Sequence, residues 1–317
     1  MSSAAVERRS RRVPIWALVA VSLLTFVPVG LLGVGRYLEN YWLYRGYGPP
    51  TAPAFVTQHG TTQSISVASP ALGGRHQRVI VYLPPGYAQH PTRRYPVFYL
   101  LHGFPGRPDA FLMTVRAGVD EEILVAKKKI RPLILVMPSG STGTFTDKEW
   151  ANGVTPGNGW ETFVARDLVH AIDARYRTIP TGAGRALGGL SEGGYAALNI
   201  GLHHPGEFRT LQSWSGYALA DNLRSIFGGN PARLAFNSPL LQLPKQAAAL
   251  RRAHTYVWFY SGTGDRLRSQ NAAFAAALTR AGVPHRFFLV PGGHDWSLWR
   301  GNAPLSLLDV SRHVAHA

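Results

Sequence analysis

Cysteine is absent from the 317 residues, which removes disulfides, thiolate nucleophiles and cysteine-held metals together and leaves the redox compartment open. Acidic residues are scarce: 17 stand against 33 lysines and arginines, a formal charge of +16. No H-E-x-x-H pattern occurs, and the adjacent pair His203 and His204 lacks the i,i+4 spacing that sets two rings on one helical face. The segment HGFPGRPDAF fits neither common phosphate-binding glycine pattern. No metal, nucleotide or other cofactor is therefore expected. Nucleic acid is not expected either, because the basic residues are scattered without a tract carrying interleaved stacking aromatics.

What is present begins with a long apolar run. Residues 13–35 carry no charge and are long enough, at about 1.5 Å per residue, to cross a hydrocarbon core of about 30 Å. Arg8, Arg9, Arg11 and Arg12 precede it, so the basic excess favours a cytoplasmic N-terminus and an outward-facing remainder. A cleaved secretory signal shares the basic start and apolar core, but the run exceeds the usual length and no clean small-x-small site follows. The expected organisation is a basic segment at 1–12, a transmembrane anchor at 13–35, a linker at 36–59 and one domain over 60–317. The linker holds Tyr37, Tyr41, Trp42, Tyr44 and Tyr47, rings suited to a headgroup layer, then Pro49, Pro50 and Pro53. Beyond residue 12 the charge is still +13, which draws the protein toward anionic lipid or polymer.

TTQSISVAS and RVIVYLPPGY alternate as an antiparallel strand pair turned by ALGG. PVFYLLHG, LILVMPSG, RALGGL, RTLQSWSG, TYVWFYSG and HRFFLVPGG are short, nearly continuous apolar runs, several ending on glycine; they read as strands buried on both faces of a parallel sheet. Between them WETFVARDLVHAIDARY and SQNAAFAAALTRAGV repeat at helical spacing, the first with Asn158 as a candidate cap and Pro180 as a stop. Strand and helix alternate, which predicts a three-layer α/β domain with a mostly parallel sheet. Residues 141–159 and 217–253 break the pattern after strand ends, where open sheets carry their sites, and are expected to wall a pocket.

Gly189-Leu190-Ser191-Glu192-Gly193 fits G-x-S-x-G, a sharp strand-to-helix turn that exposes a serine. A nucleophilic serine needs a base, and the base an orienting acid. His294 follows the last strand and Asp265 the one before it, giving the chain order serine, aspartate, histidine. Asp221 is the alternative acid, Asp295 a loop residue, and His203 and His204 are expected to face solvent or fill a cap. The backbone N–H groups of Phe104, in LLHGFPG, and Glu192 are the candidate oxyanion donors. His102 is expected to pack beneath that loop.

Together GGLSEGGYAALN, LHGFPG, TDKEW with NGWETFVARDLVHAIDARYRT, and GGHDWSLWR resemble the esterase family of α/β-hydrolases that includes S-formylglutathione-hydrolase-like and feruloyl-type esterases and the mycobacterial mycolyltransferases. The likeness covers roughly residues 60–310. It implies an acyl-enzyme on Ser191 with base His294 and acid Asp265, where the mycolyltransferases have a glutamate, and oxyanion donors at Phe104 and Glu192. Asp147, Trp150 and Trp160, in the region that borders the family's pocket, become candidates for its wall. The expected function is a membrane-anchored carboxylesterase on an acyl ester of lipid or envelope. Its rivals are an acyltransferase of the mycolyltransferase type and a catalytically silent envelope-binding module.

Overall fold

The computed structural model describes residues 14–140 and 148–316, in two compact units divided after Tyr47. Among its described residues the first unit contains one helix, α1 (Ile15–Tyr44), with Pro28 inside it and no buried residue. Among the described residues it alone is long and apolar enough to cross a membrane. It does not stop at residue 35: Tyr37, Tyr41, Trp42 and Tyr44 continue it, and it ends where Arg45 turns left-handed (φ 52°) and Gly46 follows at φ 86°. No helix breaker occurs between Arg36 and Tyr44, so the ladder propagates through the aromatic stretch.

In the second unit the elements run β1 (Thr61–Ser69), β2 (Arg75–Leu83), β3 (Val97–Leu101), α2 (Asp109–Met113), α3 (Ala117–Ala126) and β4 (Ile134–Pro138). A helical stretch follows as α4 (Trp160–Thr162), a wider π turn (Phe163–Leu168) and α5 (Val169–Arg175). Then come β5 (Arg185–Leu190), α6 (Glu192–His203), β6 (Thr210–Trp214), α7 (Arg224–Phe227), α8 (Pro231–Phe236), α9 (Pro239–Arg252), β7 (Tyr256–Gly262), α10 (Arg268–Arg280), β8 (His285–Val290) and α11 (Trp296–His313). The eight strands form one sheet in the order β1-β2-β4-β3-β5-β6-β7-β8, antiparallel at β1-β2-β4 and parallel from there on.

Alternation along the strands divides the core in two. Val97, Tyr99 and Leu101 of β3 join the π turn, α5, α6, α9 and α10 on one face. Phe98 and Leu100 join α2, α3 and α11 on the other. This is the three-layer sandwich expected from runs apolar at every position. The exception is β8, none of whose residues is buried, because the last strand has a neighbour on one side only. Asn158 does not cap its helix; Gly159 holds that position. The helix ends at Arg175, ahead of Pro180.

Candidate active site

The strand-to-helix passage at Ser191 is tight for a reason visible in its glycines. A Cβ on Gly189 would lie 2.4 Å from the Leu101 carbonyl oxygen, and one on Gly193 only 1.9 Å from the same atom. Any other residue would push β3 and α6 apart. Between them Ser191 adopts φ 54°, ψ −119°, a conformation costing about 1–3 kcal/mol, and its N–H donates to the Trp214 carbonyl at 3.0 Å. Gly103, in the loop after β3, comes so close that its Cβ would meet that of Ser191 at 3.1 Å. The Gly103–Phe104 backbone thus lies against the serine, and Glu192 opens α6 directly behind it.

Two further loops meet at this rim. They are pinned to one another by backbone: Thr263 N–H donates to Val290, Gly264 N–H donates to Gly292, and a Cβ on Gly262 would strike the Gly292 carbonyl oxygen at 2.5 Å. The first loop carries Asp265 and the second His294. His294 Nε2 is 2.8 Å from Ser191 Oγ, and His294 Nδ1 is 2.9 Å from Asp265 Oδ2. A neutral imidazole with its proton on Nδ1 satisfies both, donating to the carboxylate and accepting from the hydroxyl. Burial by itself raises the Asp265 carboxyl, but the bonds from His294 and from the Leu267 N–H, at 2.8 Å, outweigh it and hold the group below its ordinary value. Trp299 packs edge to face with the His294 ring, centroids 5.1 Å apart and planes at 86°. Trp299 lies in the GGHDWSLWR stretch, which by itself gave it no role.

The remaining candidates fall elsewhere. Asp221 is exposed, and Asp295 caps α11 by accepting the Leu298 N–H at 3.0 Å. His102 is buried with Nδ1 on the Gly103 carbonyl at 2.9 Å and Nε2 accepting the Gly140 N–H at 3.0 Å; burial pulls it down to about 4, so it stays neutral and holds the loop. His203 is not on the surface. Its two nitrogens face Glu161 at 3.1 Å and the Phe236 carbonyl at 2.8 Å, two acceptors that only an imidazolium serves, while His204 reaches Glu161 at 2.9 Å. A second serine-carboxylate pair, Ser69 Oγ to Asp167 at 2.5 Å, ties down the β1-β2 turn, whose Ala71 N–H the same carboxylate accepts.

A cavity of about 400 Å³ opens over Ser191 and His294. Its polar lining is Glu149, Tyr217, Asn222, Arg266 and Gln270, its apolar lining Leu219, Leu223 and Leu267. The stretch after β6 supplies much of this wall, as its irregular pattern suggested. Trp150 and Trp160 do not line it. Trp150 is buried and donates from its indole to the His102 carbonyl at 3.0 Å, bracing the loop from beneath, and Trp160 borders a separate cleft of about 140 Å³. Asp147 lies outside the described residues. Glu149, in TDKEW, and Tyr217, at the start of 217–253, lie in the stretches expected to wall the pocket but were not singled out there: the phenol donates to the carboxylate and stacks on Tyr195, centroids 4.5 Å apart. Among the described residues no group of carboxylates and imidazoles could hold a metal ion.

Sheet order, strand-to-helix elbow and flanking helices define an α/β-hydrolase of the serine-esterase type. The Esterase family model, described as "Putative esterase", matches residues 69–307, and the chain belongs to that family. An esterase of Mycobacterium tuberculosis, Rv1288, is 29% identical over 253 residues, 70% of this chain; the chain spans about half of that relative, 53%. The diacylglycerol acyltransferase/mycolyltransferase Ag85A of Mycobacterium ulcerans is 27% identical over 80% of this chain and 81% of its own. Among solved structures, a ferulic acid esterase superposes with TM-score 0.71 at 26% identity, over 80% of this chain and 99% of that one.

Proposed function

We propose that the chain hydrolyses an acyl ester through an acyl-enzyme on Ser191. The observation that carries this reading is the unbroken pair of hydrogen bonds from Ser191 Oγ through His294 to Asp265. As Ser191 attacks the carbonyl, His294 Nε2 takes the hydroxyl proton, and the imidazolium is steadied by Asp265. The oxyanion is held by the N–H groups of Phe104 and Glu192, the latter at the positive end of α6. Collapse of the tetrahedral intermediate expels the alkoxide, which receives the proton from His294. Water then repeats the sequence and frees the acid and Ser191.

The mixed lining of the cavity favours a compact acyl group with polar substituents over a long alkyl chain, since a buried alkyl chain displaces water from Asn222, Arg266 and Gln270 and offers these polar groups nothing in return. Transfer to an acceptor alcohol is the second reading. The likeness to a mycolyltransferase over four-fifths of both chains favours it, and a dry acceptor site would replace water.

Residues 1–12, 13–35, 36–59 and 60–317 are taken as cytoplasmic start, anchor, linker and outward-facing hydrolase domain, supported by the apolar α1 and the preceding arginines; a secreted, cleaved form is the alternative. A fluorophosphonate probe tests the enzyme itself. Labelling of the wild type and none of Ser191→Ala is expected; an unlabelled wild type means a silent envelope-binding module instead.

A further inference from the structure

At the opposite rim of the sheet lies a second cleft, of about 730 Å³, that the ester chemistry does not use. It opens where the parallel strands begin. Arg93 precedes β3 and Arg131 precedes β4, Lys128 and Lys129 follow α3, and Arg312 and His316 come from the end of α11. Ser191 sits past the far end of β5, six residues or roughly 20 Å away along the strand direction. Among the described residues no carboxylate lines the cleft, and none of its five lysines and arginines is in an ion pair.

The bland account is that these cations serve the carbonyl ends of α3 and α11. Each helix end amounts to about half a negative charge, so two ends offset about one of five cations. Roughly four remain, converging from three separated segments on one concavity. Their field is felt locally: burial lowers the His316 imidazole, and Arg131 and Arg93 lower it further against the bond that the ring donates to the Ser311 carbonyl. A protein gains nothing in stability from gathering like charges so closely.

We infer that this cleft binds a phosphate-bearing anion of at least two negative charges, as found on a phosphomonoester lipid headgroup or a soluble phosphate ester. Arg93, Arg131 and Arg312 supply planar forks for phosphate oxygens, and the two lysines supply point charge. Gln58, on the chain leading from α1 to β1, borders the same cleft.

The test uses the full chain in two settings. In detergent it is titrated calorimetrically with sodium pyrophosphate. In nanodiscs of phosphatidylcholine, with or without phosphatidic acid, hydrogen exchange is followed at residues 127–132 and 311–316. The triple variant K128Q/K129Q/R131Q is expected to bind about a hundredfold more weakly, and added salt to weaken the wild type. Pyrophosphate binding without protection by phosphatidic acid supports a soluble ligand, and the converse supports a headgroup. Equal behaviour of wild type and variant in both settings, or no response in either, overturns the inference. Thermal melting separates loss of the site from loss of the fold, and if the triple variant does not fold, Arg312→Gln on another element is expected to bind about fivefold more weakly.

Discussion

Gly193 sits directly beneath β3: a Cβ at this position would lie 1.9 Å from the carbonyl oxygen of Leu101 and 2.5 Å from its carbon. This contact, between the first turn of α6 and the end of a neighbouring strand, sets how far the elbow can rise. Backbone cannot yield as a flexible side chain would. Gly193→Ala is expected to destabilise the domain by about 3 kcal/mol or more, read as a lower urea midpoint. Gly301, in α11 with nothing within 4 Å of its would-be Cβ, provides the contrast: Gly301→Ala is expected to add about 0.5–1 kcal/mol. Equal effects at both positions would mean that crowding is not what excludes a side chain from the elbow.

Removal of the serine hydroxyl and loss of the acid are separable. Ser191→Ala is expected to lower the turnover of p-nitrophenyl acetate by about a thousandfold or more while thermal melting stays near that of the wild type. Asp265→Asn preserves shape but offers the imidazole a donor in place of an acceptor, and a fall of about 10⁴-fold in kcat is expected. Parental activity in either variant would remove the proposed mechanism.

Trp299 offers a test of positioning without chemistry. Its ring meets that of His294 edge to face, and its indole nitrogen has no hydrogen-bond partner among the described residues, so phenylalanine costs no polar contact. Trp299→Phe is expected to reduce kcat by about tenfold with KM nearly unchanged, as a looser imidazole spends less time in line with Ser191 Oγ. A change confined to KM would place Trp299 in substrate binding.

The cluster of Glu161, His203 and His204 makes stability depend on pH. Burial opposes charge on Glu161, yet the two imidazoles outweigh it and bring the carboxyl down to about 2. Burial likewise lowers His203, and the bond and field of Glu161 overcome it, leaving the imidazole above its ordinary value. The carboxylate's contribution is present above its unfolded value and is lost as pH falls toward about 2. The imidazolium's is complete below its unfolded value and is lost as pH rises through the folded one. The gap in urea midpoint between wild type and His203→Gln should be widest near about pH 5.5 and shrink toward both about pH 3 and about pH 9. A gap independent of pH would mean that His203 is neutral in the fold.

Much of this protein is local and was therefore legible in order along the chain. Strands buried on both faces must be apolar at successive positions, so PVFYLL, LILVM and TYVWFY declared themselves. The elbow was legible because only glycine fits at 189 and 193. Chain order alone put Asp265 and His294 after successive strands, where the parallel sheet delivers them to one rim. Less legible was anything set by neighbours across space. The apolar run HRFFLV resembles a central strand until its place at the sheet edge exposes it.

The same distinction separates the two kinds of site residue. Sequence by itself determined the apolar N-terminal helix, the strand set and the residues of the serine-imidazole-carboxylate line, because each depends on periodicity, turn chemistry or chain order. Tertiary structure alone decided that Trp150 and Trp160 support the fold away from the cavity, that Glu149 and Tyr217 meet inside it, that His203 is buried against Glu161, and that cations from three segments share one cleft. Those outcomes depend on which surfaces pack together, and packing brings together residues whose separation in the chain carries no periodic signal.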